Sequence, residues 1–235
     1  MSTFVQIVND SDELVISDRG ITYGYIGRAQ LSGVAQAGGG TITKTPGQSV
    51  YTIDWAGDIV VALPVKANGT TALRNISKSG NTWTINVHKG NGAFDANGFD
   101  IQEATEVYVF GAPVLVPGFT AALYSDDTSV CADLTRQPLT YRARISIAAG
   151  SLSWGMPAGV TIPAIVGTPM DYNVTSVRDG AFYIIRNQGR GWQLVAGTVQ
   201  RNIFQNRWRR EDGGASAVDT IRQISAILID ASGLA

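Results

Sequence analysis

The sequence predicts an all-β chain of two tandem β-sandwich, or partly closed barrel, domains, at residues 1–117 and 118–235, related by a degenerate internal repeat. Three observations carry this expectation. The second half opens as a loose copy of the first, helical periodicity is scarce throughout, and the composition is rich in glycine and poor in charge.

The repeat shows first in the opening segments. Phe4–Ile16 reads as an apolar run, the acidic turn Asn9-Asp10-Ser11-Asp12, and a second apolar run; Phe119–Ala132 follows the same plan. Ile7 maps to Leu123, Asp10 to Asp126, Leu14 to Val130, Tyr25 to Tyr141 and Arg28 to Arg144, all at a spacing of 116 residues. Charged residues are 16% of the chain, against roughly 25% in an average globular protein, and glycine supplies 27 of 235 residues. That balance suits many short strands joined by tight turns.

Taken in order, the first half offers an opening hairpin at Phe4–Val8 and Leu14–Ser17, then the alternating strand Ile21–Leu31 and a glycine-rich linker at Gly33–Gly40. β-Branched strands follow at Ser49–Ile53 and Ile59–Val65. A hairpin is expected at Leu73–Ile76 and Trp83–His88 around Ser77–Asn81, then a loop at Gly90–Gly98 and a strand at Glu106–Phe110. The second half matches with Ala121–Tyr124, Val130–Ala132, Thr140–Ile147 and Tyr172–Val174. Phe182–Arg186 and Trp192–Val195 are expected to flank a turn at Asn187–Gly191, which equates Trp192 with Trp83; Ser225–Asp230 closes the unit. A turn of helix is expected at Ala217–Ser225, and the domain boundary near Pro113–Phe119.

Charge and cysteine content exclude several classes of function. A net charge of −1 supplies no field for nucleic acid or an acidic membrane. The single cysteine, Cys131, forms no internal disulfide and reads as a small buried hydrophobe. No secretion-signal pattern opens the sequence. The uncharged stretches Val107–Ser125 and Ile145–Met170 are broken by proline and glycine, so no membrane span is expected and both read as strands and loops that become buried.

Catalytic chemistry finds few candidates. His88, the only histidine, reads as a solvated strand-end residue, and no G-x-S-x-G elbow, H-E-x-x-H or Walker loop is present. Asp10, Asp12, Glu13, Asp126 and Asp127 gather at the opening turns, where acidic residues serve turn formation; a glycosidase pair is the minor reading. Asp95–Asp100 departs from the EF-hand spacing and reads as a surface loop. No catalytic, cofactor or metal residue is therefore assigned.

The strongest anomaly is Arg201–Arg210, which sets four arginines beside Phe204 and Trp208 in a charge-poor chain. Arginine and tryptophan are enriched at interface hot spots. Phe204, Arg207, Trp208, Arg209 and Arg210 are therefore candidate partner contacts. The competing reading is a solvated strand end paired with Glu211 and Asp212, with nucleic-acid contact a minor third. Trp55, Trp83, Trp154 and Trp192 read as packing, but Trp154 sits in an uncharged stretch and joins the candidate contacts.

The opening strand, acidic turn, strand ending in Asp18 and Tyr/Arg-bearing strand resemble the small β-rich structural proteins of tailed-bacteriophage tails. So does the midway repeat after Glu106–Phe110 and the connection Gly111–Gly118. The resemblance implies a non-enzymatic virion protein of the tail tip, baseplate or fibre region, assembled in the bacterial host's cytoplasm. It implies other tail proteins as partners and a homo-oligomer, trimer or hexamer. Attachment to a host surface receptor or carbohydrate is the alternative role, and no catalytic residues or cofactors carry over.

Overall fold

The computed structural model describes residues 6–8, 14–17, 21–40, 42–114, 121–125, 129–147, 153–167, 171–212 and 224–234. Within them the chain is all-β. The first half forms β1 (Gln6–Val8), β2 (Leu14–Ser17), β3 (Gly24–Arg28), β4 (Gln30–Ala35), β5 (Gly38–Gly39), β6 (Thr43–Thr45), β7 (Gln48–Asp54), β8 (Ile59–Pro64), β9 (Thr71–Ser79), β10 (Thr82–Phe94), β11 (Asp100–Gln102) and β12 (Tyr108–Gly111). The second half forms β13 (Ala122–Tyr124), β14 (Val130–Asp133), β15 (Ala143–Ile147), β16 (Ser153–Gly155), β17 (Pro163–Val166), β18 (Asp171–Asp179), β19 (Phe182–Val195), β20 (Thr198–Asp212) and β21 (Ile224–Asp230).

The opening hairpins match in detail. β1 meets β2 as Gln6↔Ser17, Ile7↔Ile16 and Val8↔Leu14, with a register irregularity between Ile7 and Val8. β13 meets β14 as Ala122↔Asp133, Leu123↔Ala132 and Tyr124↔Val130, with the irregularity between Leu123 and Tyr124. Ile7 and Leu123 thus occupy the same place in their hairpins.

Two larger sheets run across the expected boundary. A six-stranded sheet has the order β15-β21-β17-β8-β12-β3, in which the halves contribute three strands each in mirrored order. At its centre β8 and β17 pair antiparallel, with Leu63 opposite Ile165. The eleven-stranded sheet follows β4-β7-β10-β9-β19-β20-β6-β5, with β11 beside β10, β16 beside β20 and β18 beside β19. There the halves meet at Thr71↔Trp192.

The sheets pack face to face over two cores. Val61, Leu63 and Val109 meet Tyr51, Leu73, Ile85 and Val87. In the other half Ile145, Ile165, Ala226 and Leu228 meet Trp192 and Val199. Each fully buried aliphatic side chain here contributes roughly 1.5–3 kcal/mol. The outer face of the six-stranded sheet is also covered, because Ala62, Tyr108, Phe110, Ala164 and Ile229 cluster with Ala231 and Leu234. Chain from the second half straps the β3 edge, where Tyr25 N–H donates to Gln137 O at 2.7 Å and Leu139 N–H to Tyr23 O at 2.8 Å.

Several local expectations are corrected. Asn187–Gly191 is no turn: it lies inside β19, which runs unbroken for 14 residues. The turns fall instead at Gly180-Ala181 and Ala196-Gly197, so Trp192 stands in the first arm of its hairpin whereas Trp83 stands in the second. The stretch Gly33–Gly40 is largely strand, β4 and β5, and Gly90–Phe94 continues β10. Residues 217–223 of the expected helical turn lie outside the described residues; Ile224 and Ser225 are strand.

Between β4 and β5 lie only Gln36 and Ala37, yet these strands end opposite margins of the sheet path. The β4–β7 excursion must therefore arch so that its tip, β5–β6, reaches β20 at Trp208↔Lys44 and Arg209↔Thr43. Gln36 secures the arch: its Nε2 donates to Gln102 O at 2.8 Å, and its Oε1 accepts from Gln102 N–H at 2.8 Å.

Two outcomes follow from this interleaving. Residues 1–117 expressed alone lose the strands that pair with β8 and β9, exposing Leu63 and its neighbours. Calorimetry should show one cooperative transition for the whole chain and none for the fragment. Ala196 adopts φ 48°, alone among described non-glycine residues in having positive φ, in the two-residue turn with Gly197. Ala196→Asn, which tolerates that region better, should raise stability by about 0.5–1 kcal/mol in urea titration.

Candidate functional site

A buried polar cluster forms where the arch crosses the larger sheet. Along β10, Ile85 and Val87 point into the sandwich core, so His88 falls on the opposite face. It is fully buried, not solvated as its place in the sequence suggested, and it lies within its strand. The His88 ring stacks on Phe204 at a centroid distance of 3.5 Å and an interplanar angle of 10°. Two glycines make this possible. A Cβ on Gly189, the cross-strand neighbour of Phe204, would lie 2.6 Å from the phenyl Cζ; one on Gly90 would lie 2.4 Å from Asp100 Oδ2.

Asp100 Oδ2 stands 3.1 Å from His88 Nε2. Burial is the leading influence on the imidazole and pushes its pKa down, against the opposing pull of Asp100. The neutral ring therefore donates from Nε2 to the carboxylate. Nδ1 has no hydrogen-bond partner among the described residues. A general base must reach its substrate, and this one is sealed, so the pair serves the fold.

Lys89 is also fully buried. Its Nζ donates to Asn68 O and Gly90 O, both at 2.5 Å, and pairs with Glu103 Oε1 at 2.8 Å. The ammonium thus clamps the 65–70 loop onto β10. Gly69 packs so tightly there that a Cβ would lie 1.8 Å from Gly90 O. The neighbouring Asp95 is saturated by its own loop, accepting from the Asn97 and Phe99 amides at 2.8 and 2.9 Å. Asp95 and Asp100 are therefore committed separately and do not converge on a cation.

The candidate contacts divide. Phe204 is buried and spent inside the fold, which corrects its reading as a partner contact. Trp154 is half-buried against the second core, in β16 opposite Val199. Arg207, Trp208 and Arg209 lie in β20, with backbones paired to Asn187, Arg186 and Ile185 of β19; their side chains lie outside the described set. Arg210 is exposed, sits over the Phe182 ring at 4.0 Å and pairs with Asp179 at 3.6 Å; the side chains of Glu211 and Asp212 lie outside the described set. An exposed pair of this kind adds little stability. Asp10, Asp12, Glu13, Asp126 and Asp127 all lie outside the described residues.

One open cleft, of about 410 Å³, lies where the chain crosses between the sheets at β3 and β4. Arg28, Thr52, Asp54 and Thr82 line it together with Ile26 and Ile53. Comparison with family models, with curated proteins and with solved structures found no match in any of the three.

The buried His88 was missed in the sequence because strand-end polarity was read from Lys89, which is itself buried. The available signal was paired: Gly90 near His88, and Gly189 opposite Phe204 in β19, both leaving space for larger neighbours.

The lowered histidine pKa has a definite sign. The unfolded chain binds a proton below about pH 6.5 and the folded one resists it, so stability is full above that value and falls as pH drops toward the folded pKa. Urea midpoints should therefore decline as pH falls below about 6.5, and His88→Gln should flatten that decline. Below about pH 4 a second loss is expected from Asp230. Burial alone would raise this carboxyl, but the Ile162, Thr161 and Ser232 amides outweigh it and hold it low.

Proposed function

We propose that this chain is a non-enzymatic structural protein of a bacteriophage tail, at the tip or baseplate, which docks its neighbours through strand edges and loops. In this reading a strand unit was doubled, and its copies interleave as one sandwich instead of standing as independent beads. The observation that carries the reading is the division of its polar groups. Converging titratable groups are enclosed and used to fasten loops, while strand margins with open backbone lie at the surface, as at β4. Such margins accept another chain readily.

The resemblance of the opening hairpin supplies the phage context, and the matched registers of β1–β2 and β13–β14 support the doubling. Assembly in the host cytoplasm, in several copies and without nucleic acid or cofactor, belongs to the same proposal. The second reading, a host-surface or carbohydrate-binding module, is favoured by the cleft at Arg28 and Asp54. Its mixed lining of Arg28, Gln30, Thr52, Asp54 and Thr82 with Ile26 and Ile53 suits the hydroxyls and apolar face of a sugar ring.

Locating the chain in an imaged tail tests the main reading directly. Changing Arg207, Trp208 and Arg209 to alanine should lower particle yield at least tenfold while the purified chain keeps its β-sheet spectrum. Normal particles from that variant remove the β20 segment from the contacts. Glycan binding lost with Arg28→Ala and Asp54→Ala would shift the assignment to the second reading.

A further inference from the structure

The free edge of the larger sheet has an identifiable occupant. All six residues of β4 are exposed, and among the described residues its only strand neighbour is β7. Backbone groups along its outer margin are thus free to bond. Leu31 lies opposite Tyr51 and Val34 opposite Ser49, with a bulge between Leu31 and Gly33. Tyr51 and Ser49 are two residues apart and both buried on the core side. The bulge therefore brings Leu31 and Val34, three residues apart, onto that same side. There they stand 47% and 39% exposed.

Natural edges are blunted by lysine, proline or an inward charge, and a bulge ordinarily helps by twisting the margin away. This bulge instead aligns two apolar side chains, and none of the other devices is present. No residue from Ala29 to Thr43 carries a charge.

We propose that β4 pairs antiparallel with β4 of a second copy, across a two-fold axis between Ser32 and Gly33. In that register Leu31 faces the partner's Val34 and Val34 faces its Leu31, so one patch is its own complement, as a two-fold interface requires. Gln30 faces Ala35, and the Arg28 and Asp54 that flank one end of β4 meet the partner's uncharged 36–40 segment. A strand bearing charge would lose hydration against Leu31 and Val34 with no countercharge; a second copy brings none. The pair joins two sandwiches into one continuous sheet.

The inference needs only the open edge, not the assignment to a phage tail, so imaging of tails and the following experiment fail independently. Sedimentation of the purified full chain should give twice the 24.9 kDa chain mass, or a multiple of that pair. Leu31→Lys and Val34→Lys, each exposed in the single chain and so compatible with folding, should weaken association at least tenfold with unchanged thermal unfolding of the monomer. The double variant Leu31→Cys/Val34→Cys should form a covalent dimer under mild oxidation, and neither single variant should. A monomeric wild-type chain at 100 micromolar overturns the proposal. So does association that survives both lysines, or a covalent dimer from Leu31→Cys alone, which marks a parallel pair or another register.

Discussion

The antiparallel pairing of β8 with β17 is the constraint on which the rest of this structure depends. Leu63 stands opposite Ile165 at the middle of the smaller sheet, and each belongs to the core of its own half. Joining the halves there removes the inner edge of both, so neither half carries a complete sheet. The Thr71↔Trp192 contact does the same for the larger sheet, where Trp192 also fills the second core. Two halves of this length usually form two domains with a linker between them. Here the shared strands make the linker's conformation secondary, because hydrogen bonds and apolar contacts already hold the halves together.

That arrangement explains where the polar residues go. Strands long enough to serve the shared sheet overrun the sandwich: β10, β19 and β20 are 13, 14 and 15 residues long. Their overrunning ends need cover of their own, which the β4–β7 arch and β11 supply. This second, smaller interior is lined by His88, Asp100, Lys89 and Phe204 rather than by aliphatic residues. An ion pair with a buried ammonium and a part-exposed carboxylate, such as Lys89–Glu103, is weak evidence for net stability, since desolvation of the lysine offsets much of the attraction. Its effect is on specificity, because an unpaired ammonium at that depth would cost several kcal/mol in any other loop arrangement.

Much of this was legible in the sequence, and the lost part has a physical reason. Short strands and the hairpin turn at Gly80-Asn81 could be read from alternation and from glycine, and the repeated hairpin from Ile7, Leu123, Leu14 and Val130. The Asn187–Gly191 turn failed because glycine has two uses in strands. It frees the backbone at a turn, as at Gly180 with φ 63°, and it leaves room for a neighbour, as Gly189 does beneath Phe204. Only the partner strand distinguishes these uses, and a partner 15 residues away is invisible to local patterning. The mirrored order of the sheets was hidden for the same reason, since pairing between halves leaves no local trace.

Edge management separates what the fold has solved from what it leaves to association. The β3 margin of the smaller sheet is strapped by the segment around Gln137 and Leu139, and the joined margins at β8–β17 and β9–β19 are internal. The β18 margin runs out through Ser176–Asp179, where Arg178 and Asp179 place charges that discourage a further strand. β4 combines open backbone, apolar side chains on the core side and no charge along all six of its residues. An edge built that way in a monomer would be a liability during folding and storage, because any extended chain could add to it. The economical account is that it is covered, and a self-complementary strand needs no second gene product to cover it.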